Sequence, residues 1–309
     1  MKLTIDFDIP ESGWKILPQD NLISLGSCFS DEIGYLLKKD GFDCFINPFG
    51  ILFHPMSIAK LISKALNEEY ETEIVQHHDV FFSWEASGTF FAYDEKSLKI
   101  KFSETLKQLA AALKNADVLM ITFGTAFGYR LAESGERVAN CHKQPGTFFH
   151  KELTALEEMV LAWKDVLGQL RNFNPGLRII FTVSPVKHIK DGVIENVRSK
   201  SRLIELAAVL GENYFPSFEI IQEELRDYRF YKTDLVHPNE EAISIVYSRF
   251  MATFFSEEAI EFQKEVRSYR RMSEHRLAYK ESDQVRLFQQ QKQWLFESLK
   301  KKYPFLTID

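Results

Sequence analysis

The sequence predicts an α/β chain: a three-layer α/β/α sandwich with a parallel five-stranded sheet and a helical C-terminal extension. Three observations carry this reading. From residue 20 to 255, short apolar runs alternate with amphipathic stretches. Strand then helix, repeated five times, implies parallel strands with right-handed helical crossovers. Two of the runs, DVLMITF from Asp117 and RIIFTV from Arg178 to Val183, are almost wholly apolar, as strands buried on both faces are. Finally, 309 residues at 45% hydrophobic and 27% charged build an ample core without disulfides or metals.

Each element has a local reason. Leu22–Leu25 is a short strand ended by Gly26. Residues 30–39 form a helix, with Ser30 as N-cap, Asp31 and Glu32 in its first turn and Lys38 and Lys39 in its last. Asp43–Asn47 is a second strand, stopped by Pro48 and Gly50, and residues 56–67 a helix after Pro55. Residues 74–100 are aromatic and β-prone with a Ser-Gly turn at 87–88, which predicts a β-hairpin insertion. A helix over 103–115 precedes the strand from Asp117. A long helix over 151–172 ends at Asn174-Pro175-Gly176, and the strand 178–183 stops at Ser184-Pro185. A helix at 192–210 ends at Gly211, Asn213–Pro216 is the fifth strand, a helix spans 218–227, and the last helix of the domain runs from 239 to 255. These elements make a domain over 1–255. Residues 256–309 read as one or two helices packed back on it through Ile260, Phe262, Val266, Tyr269, Leu287, Trp294 and Leu299, or as an arm making a homo-oligomer through the C-terminal helices.

Composition narrows the function. The 38 basic and 44 acidic residues leave −6, which argues against a nucleic-acid partner. There is no GxGxxG after the first strand and no GxxxxGK[ST]. No apolar run approaches the ~18 residues of a membrane span, and the acidic N-terminus MKLTIDFDIPESGW does not resemble a signal peptide. Cys28, Cys44 and Cys141 read as reduced thiols of a cytoplasmic protein. His77-His78-Asp79, His142 and His150 lack metal-ligand spacing, so no metal and no cofactor is expected. His54, His188 and His275 read as structural or surface residues.

In a parallel sheet the reactive loops lie at the carboxyl ends of the strands, here 26–30, 47–54, 124–150, 184–192 and 231–238. Ser27, between the first strand and a helix, is placed to project its hydroxyl at that edge, where a helix N-terminus stabilises an oxyanion. Asp234-x-x-His237 places a carboxylate beside an imidazole, the base a serine nucleophile needs. Gly50 offers a backbone donor, and Asn140 or Asn47 a side-chain amide, for an oxyanion hole. Cys28 competes with Ser27 as nucleophile, against its reading as a small buried residue behind the turn. The 27 phenylalanines divide between core (Phe123, Phe181, Phe215) and loops (Phe29, Phe49, Phe53, Phe127, Phe148, Phe149), the latter as walls of an aromatic pocket around Ser27.

Taken in order, LGSCFSDEIG, NPFGILFHP, ITFGTAF, NCHKQP, VSPV, YFPSFEII and DLVHPN resemble the GSCFA domain family, itself similar to SGNH (GDSL-type) esterases and acyltransferases. The resemblance covers roughly residues 1–255, with Ser30 where the family name has Ala. It implies a flavodoxin-like, SGNH hydrolase-like sheet of order 2-1-3-4-5 and a Ser27–His237–Asp234 triad. Ala126 stands where GDSL enzymes carry Asn, so the oxyanion donors become the backbone of Ser27 and Gly50 and the Asn140 amide. Asn47, Thr125, His142 and Lys143 are expected to bind substrate. The function implied is serine-dependent hydrolysis or acyl transfer on a small-molecule or carbohydrate O-acyl ester. The alternative is a non-catalytic carbohydrate-binding or scaffold protein, with the rings of 74–100 stacking on sugars.

Overall fold

The computed structural model describes residue 5 and residues 7–274 and 283–307; His275 lies outside them. The chain opens with β1 (Leu22–Gly26), α1 (Cys28–Lys39), β2 (Cys44–Ile46) and α2 (Pro55–Leu66). The insertion follows as β3 (Ile74–His77), β4 (Val80–Ser83) and β5 (Phe91–Ala92), then α3 (Glu95–Asn115) and the central strand β6 (Val118–Phe123). Next come β7 (Phe127–Leu131), β8 (Arg137–Val138), β9 (Phe149–Leu153), α4 (Leu156–Phe173), β10 (Arg178–Val183), α5 (Val193–Leu210) and β11 (Asn213–Phe215). The chain closes with α6 (Ser217–Glu219), α7 (Glu240–Phe254), α8 (Glu257–Glu274) and α9 (Asp283–Lys302).

The main sheet is five-stranded in the order β11-β10-β6-β1-β2, and every pairing in it is parallel. Chain numbering therefore reads 2-1-6-10-11 rather than 2-1-3-4-5, because six short strands of two insertions intervene. Counted within this sheet alone, the order is 2-1-3-4-5. β1 and β6 are buried at every residue, as their apolar runs require. Helices α2, α3, α4 and α5 cover one face in a cluster around Ile121, Phe123, Trp163 and Phe181. Helices α1, α7 and α8 cover the other around Phe29, Phe215, Phe250 and Phe262.

Several expectations are corrected. α1 starts at Cys28 with Ser27, not Ser30, as N-cap. α3 begins at Glu95, eight residues early, because Asp94 accepts from the Ser97 amide and caps it there. The 74–100 insertion is a three-stranded antiparallel meander rather than a hairpin. Residues 127–153, read as loop and helix start, form a second three-stranded sheet. Its polarity alternates too weakly to be recognised locally; Arg130 and Arg137 hold Glu152 and Glu158 across it. The expected helix over 218–227 is only α6, continued by a π-turn over Ile220–Glu224.

The tail packs back on the domain. Phe262, Val266, Leu299, Tyr303 and Leu306 are buried against Phe42 and Phe255, whereas Leu287 and Trp294 are exposed. Its polar anchor is Asp40 at the end of α1. Asp40 accepts from Tyr247 Oη at 2.7 Å, Gln263 Nε2 at 2.5 Å and Arg267 Nε and Nη2 at 2.7 Å each. Replacing Asp40 by Ala leaves Tyr247 and Gln263 buried without their acceptor. Urea denaturation of this variant is expected to show a loss of ~3 kcal/mol.

Helix α2 begins at a buried imidazole. His54 Nδ1 accepts from the Met56 amide at 3.1 Å, so Nε2 carries the proton and donates to Thr154 Oγ1 at 3.0 Å. Burial first, then the charge of Arg137, pushes His54 down to about 3. Its folded value lies below its unfolded one, so its stabilisation is complete above the unfolded pKa of ~6.5 and is lost as pH falls toward 3. Urea midpoints should fall between pH 7 and pH 5 by the equivalent of ~2 kcal/mol, and His54→Asn should flatten that dependence.

Candidate functional site

At the carboxyl edge of the sheet, β1 and β6 approach so closely that a Cβ on Gly26 would lie 2.1 Å from the Thr122 carbonyl oxygen; Gly26 has φ +132°. Only glycine fits there. The Ser27 amide donates to the same carbonyl at 3.1 Å. Asn47 secures the turn from the side. Its Oδ1 accepts from the Gly26 amide at 2.8 Å and its Nδ2 donates to Asp31 at 2.6 Å, with its own φ at +34°. Asn47 is thus a brace between β1, β2 and α1 rather than a substrate ligand.

Two further loops meet at this end of the sheet. Lys187, after β10, donates its amide to the Val236 carbonyl at 3.2 Å. Lys232 lies 3.7 Å from Glu32 of α1. Between them, Asp234 Oδ1 accepts from the amides of Val236 and His237 at 2.9 and 3.0 Å, and Leu235 takes φ +59°. This turn aims His237 Nδ1 at Asp234 Oδ2, 2.7 Å away. The two amides and the imidazole hold the Asp234 carboxyl down to about 2. It is ionised, so Nδ1 carries the hydrogen of this bond.

The burial of residues 27 and 28 is the reverse of that expected. Ser27 is 0% exposed and its hydroxyl accepts from the Phe29 amide at 3.3 Å. It is turned inward as an N-cap and does not project at the edge. Among the described residues no hydrogen bond joins it to His237. Cys28, expected behind the turn, is the half-buried residue instead. Burial raises its pKa, against the opposing charge of Lys200 and its own backbone amide.

The remaining expectations fare unevenly. The Gly50 amide is spent on the Asn47 carbonyl at 2.8 Å and the Ser27 amide on Thr122, so neither is free for an oxyanion in this conformation. Gly50 and Asn140 do converge on one loop. A Cβ on Gly50 would sit 2.6 Å from Ser87 Cβ, and one on Gly88 3.6 Å from Asn140 Nδ2. Thr125 is structural: its Oγ1 lies 3.1 Å from Ser199 Oγ and accepts from the Phe127 amide. His142 is 3% exposed, stacked on Phe82 and donating through Nε2 to the Ser83 carbonyl at 2.8 Å, with Nδ1 unpartnered. Burial pushes it down to about 4. It joins the two insertions rather than lining a mouth. Lys143 is exposed beside it at φ +58°.

The aromatic pocket is likewise only partial. Phe29 and Phe49 belong to the core; the sheet faces draw them in. Phe53 is exposed and Phe127 and Phe149 half-buried. Among the described residues no cluster has the makings of a metal site, and no helix is long and apolar enough to cross a membrane.

Two polar residues were missed. His188, in the loop after β10, lies edge-on to Phe53 at 5.2 Å with its Nε2 buried and unpartnered. Burial, then the charges of Lys200 and His237, pushes it down to about 3. Lys200 is 1% exposed on α5. Its signal was in the sequence: Ser199, Leu203, Leu206, Ala207 and Leu210 place it on the buried stripe.

The fold and this edge define an α/β protein with an Asp–His pair on a loop bonded to the segment that follows β10. The chain belongs to the GSCFA family, whose model matches residues 21–250, the segment that holds every element of this edge. Among curated proteins none matches the chain.

Asn47→Ala removes both bonds that brace the turn and places a Cβ-bearing residue without a polar side chain at positive φ. The expected cost is ~2 kcal/mol in urea denaturation, with faster amide exchange at Gly26 as the local readout.

Proposed function

We propose that the chain is an acyl-transfer enzyme of SGNH/GDSL type, an ester hydrolase or O-acyltransferase acting on an O-acyl ester, with a carbohydrate ester as the substrate class. The observation that carries this reading is the 2.7 Å contact between Asp234 and His237 Nδ1, on a loop whose Lys232 lies 3.7 Å from Glu32 of α1. An ionised carboxylate orienting an imidazole, with serine and cysteine side chains at a helix N-terminus of the same sheet edge, is an arrangement suited to acyl transfer.

The nucleophile comes from the Ser27–Cys28 pair. Ser27 is the residue the family resemblance implies, and its attack requires the hydroxyl to leave the α1 cap. The second reading, Cys28, is favoured by exposure: it is half-buried where Ser27 is enclosed. In either case His237 Nε2 accepts the nucleophile's proton as oxygen or sulfur bonds to the ester carbonyl carbon. The carbonyl electrons move to oxygen. The C–O bond then breaks and His237 returns the proton to the leaving alcohol. Water, or a second alcohol, repeats the sequence in reverse to free the acyl group. Asn140 supplies the oxyanion donor in the Ser27 reading, together with the first-turn amides of α1.

Turnover of 4-nitrophenyl acetate, with fluorophosphonate and iodoacetamide labelling, tests this in Ser27→Ala, Cys28→Ala and His237→Ala. His237→Ala should lose at least ~100-fold in kcat/KM. Loss in Ser27→Ala with fluorophosphonate labelling assigns the serine. Loss in Cys28→Ala with iodoacetamide inactivation assigns the cysteine. Wild-type turnover in His237→Ala would sink the reading and leave a non-catalytic carbohydrate-binding or scaffold role as its replacement.

A further inference from the structure

We propose that the protein docks on an anionic lipid bilayer through the exposed apolar face formed by the start of α5 and the turn before it, beside the loop of the Asp234–His237 pair. The inference goes beyond the acyl-transfer reading and does not depend on it.

The inward stripe of α5, which includes Ser199, Leu203, Leu206, Ala207 and Leu210, is buried in the domain. The outward face of such a helix is normally polar. Here it opens with Val193, Ile194 and Val197, which are 68%, 76% and 53% exposed. Ile189, 43% exposed, extends the face onto the preceding turn, Ile189–Asp191. Single exposed apolar side chains need no explanation, whereas four on adjoining turns form a patch of the kind that marks an interaction surface. The turn is held to the helix. Asn196 Oδ1 accepts from the His188 amide at 2.7 Å, and the Asn196 amide donates to the Gly192 carbonyl at 3.1 Å. The patch is also joined to the Asp234–His237 loop. The Lys187 amide donates to the Val236 carbonyl, and Lys187 Nζ lies 3.8 Å from the centre of the Tyr231 ring and 4.8 Å from that of Tyr228. Tyr228 and Leu235 on that loop are themselves exposed.

Charge identifies the occupant. Around the patch stand Lys151, Lys187, Lys190 and Arg198 against Asp191 and Glu195, on a chain of formal charge −6. Lys151 pairs with Asp191, and Arg198 donates to both Glu195 oxygens at 2.9 Å. Among the described residues Lys187 and Lys190 pair with no carboxylate. On the neighbouring loop Arg226, Arg229 and Lys232 are matched in number by Asp227, Asp234 and Glu32 of α1, so the patch keeps its positive balance. The N-terminus of α5 adds to it. Gly192, at φ +98°, gives the helix no side-chain cap, and the first-turn amides are open to a headgroup phosphate. Apolar side chains ringed by cations fit a negatively charged bilayer, where the two attractions act together. A second copy fits less well, because a two-fold contact on this face sets the same cations against one another. A helix from an acidic protein partner lies in a groove, whereas Val193 and Ile194 stand clear of their surroundings.

Co-sedimentation of the full chain with lipid vesicles tests this, with phosphatidylcholine alone and with phosphatidylcholine containing about one quarter phosphatidylglycerol. The mixed vesicles should bind at least ~10-fold more tightly than phosphatidylcholine alone, and raising NaCl from about 0.05 to about 0.5 M should remove most of that gain. The double variant Val193→Ser, Ile194→Ser should lose at least ~10-fold on the mixed vesicles, with its urea midpoint unchanged. Lys190→Glu should lose about as much, and Lys190→Arg should bind as wild type does. Absence of binding to the mixed vesicles, or wild-type binding by the double serine variant or by Lys190→Glu, overturns the proposal. A dimer in analytical ultracentrifugation that the double serine variant dissociates also overturns it, and assigns the face to a second copy. No ester enters these measurements, so a failure of ester turnover bears on the acyl-transfer reading alone and a failure of vesicle binding on this surface alone.

Discussion

The approach of β1 to β6 at Gly26 is the constraint on which the rest of the edge depends. With no side chain at Gly26, the Thr122 carbonyl comes within 2.1 Å of where a Cβ would stand and accepts the Ser27 amide. The chain can then leave the strand and enter α1 without an intervening loop. A one-residue junction of this kind leaves no freedom in the direction of the next two side chains. Ser27 is enclosed where it caps the helix, and the next residue, Cys28, is half-buried.

The same edge concentrates polar groups that would be costly elsewhere. Asn47 at positive φ, Leu235 at positive φ and the buried, unpartnered Nε2 of His188 each run against local preference, and such departures cluster where a protein holds a site. They are tolerated because the surrounding layers over-determine them. β1 and β6 are fully enclosed strands, β10 is enclosed from Ile179 on, and two aromatic clusters clamp the sheet from both sides. The tail contributes at a distance, since Asp40 ties the far end of α1 to α7 and α8. α1 is thus anchored at both ends.

The family and the geometry bear on different questions. Family membership covers the segment that holds the edge, and the Asp234 contact fixes the orientation of the His237 ring. The two insertions meet where the Ala139 amide donates to the Trp84 carbonyl at 2.7 Å and where Trp84 packs on Phe149. There they enclose His142, expected at a mouth. Their rings serve to bind one insertion to the other before they serve any ligand.

The sequence alone determined the parallel α/β architecture, the five sheet strands, the family and the Asp234–His237 pair. These rest on short-range signals: apolar runs, helix caps, and a three-residue spacing that a single turn can satisfy. Only the tertiary structure decided that Ser27 is enclosed and Cys28 half-buried, that the Gly50 amide is spent, that His142 is buried, and that Lys200 and the Nε2 of His188 are buried at this edge. Residues 127–153 show why. Their strands are half polar, and what makes them strands is pairing across the insertion and ion pairs between residues more than twenty positions apart. Orientation at a junction and partnership across a sheet edge depend on groups distant in the chain, and no local pattern carries them.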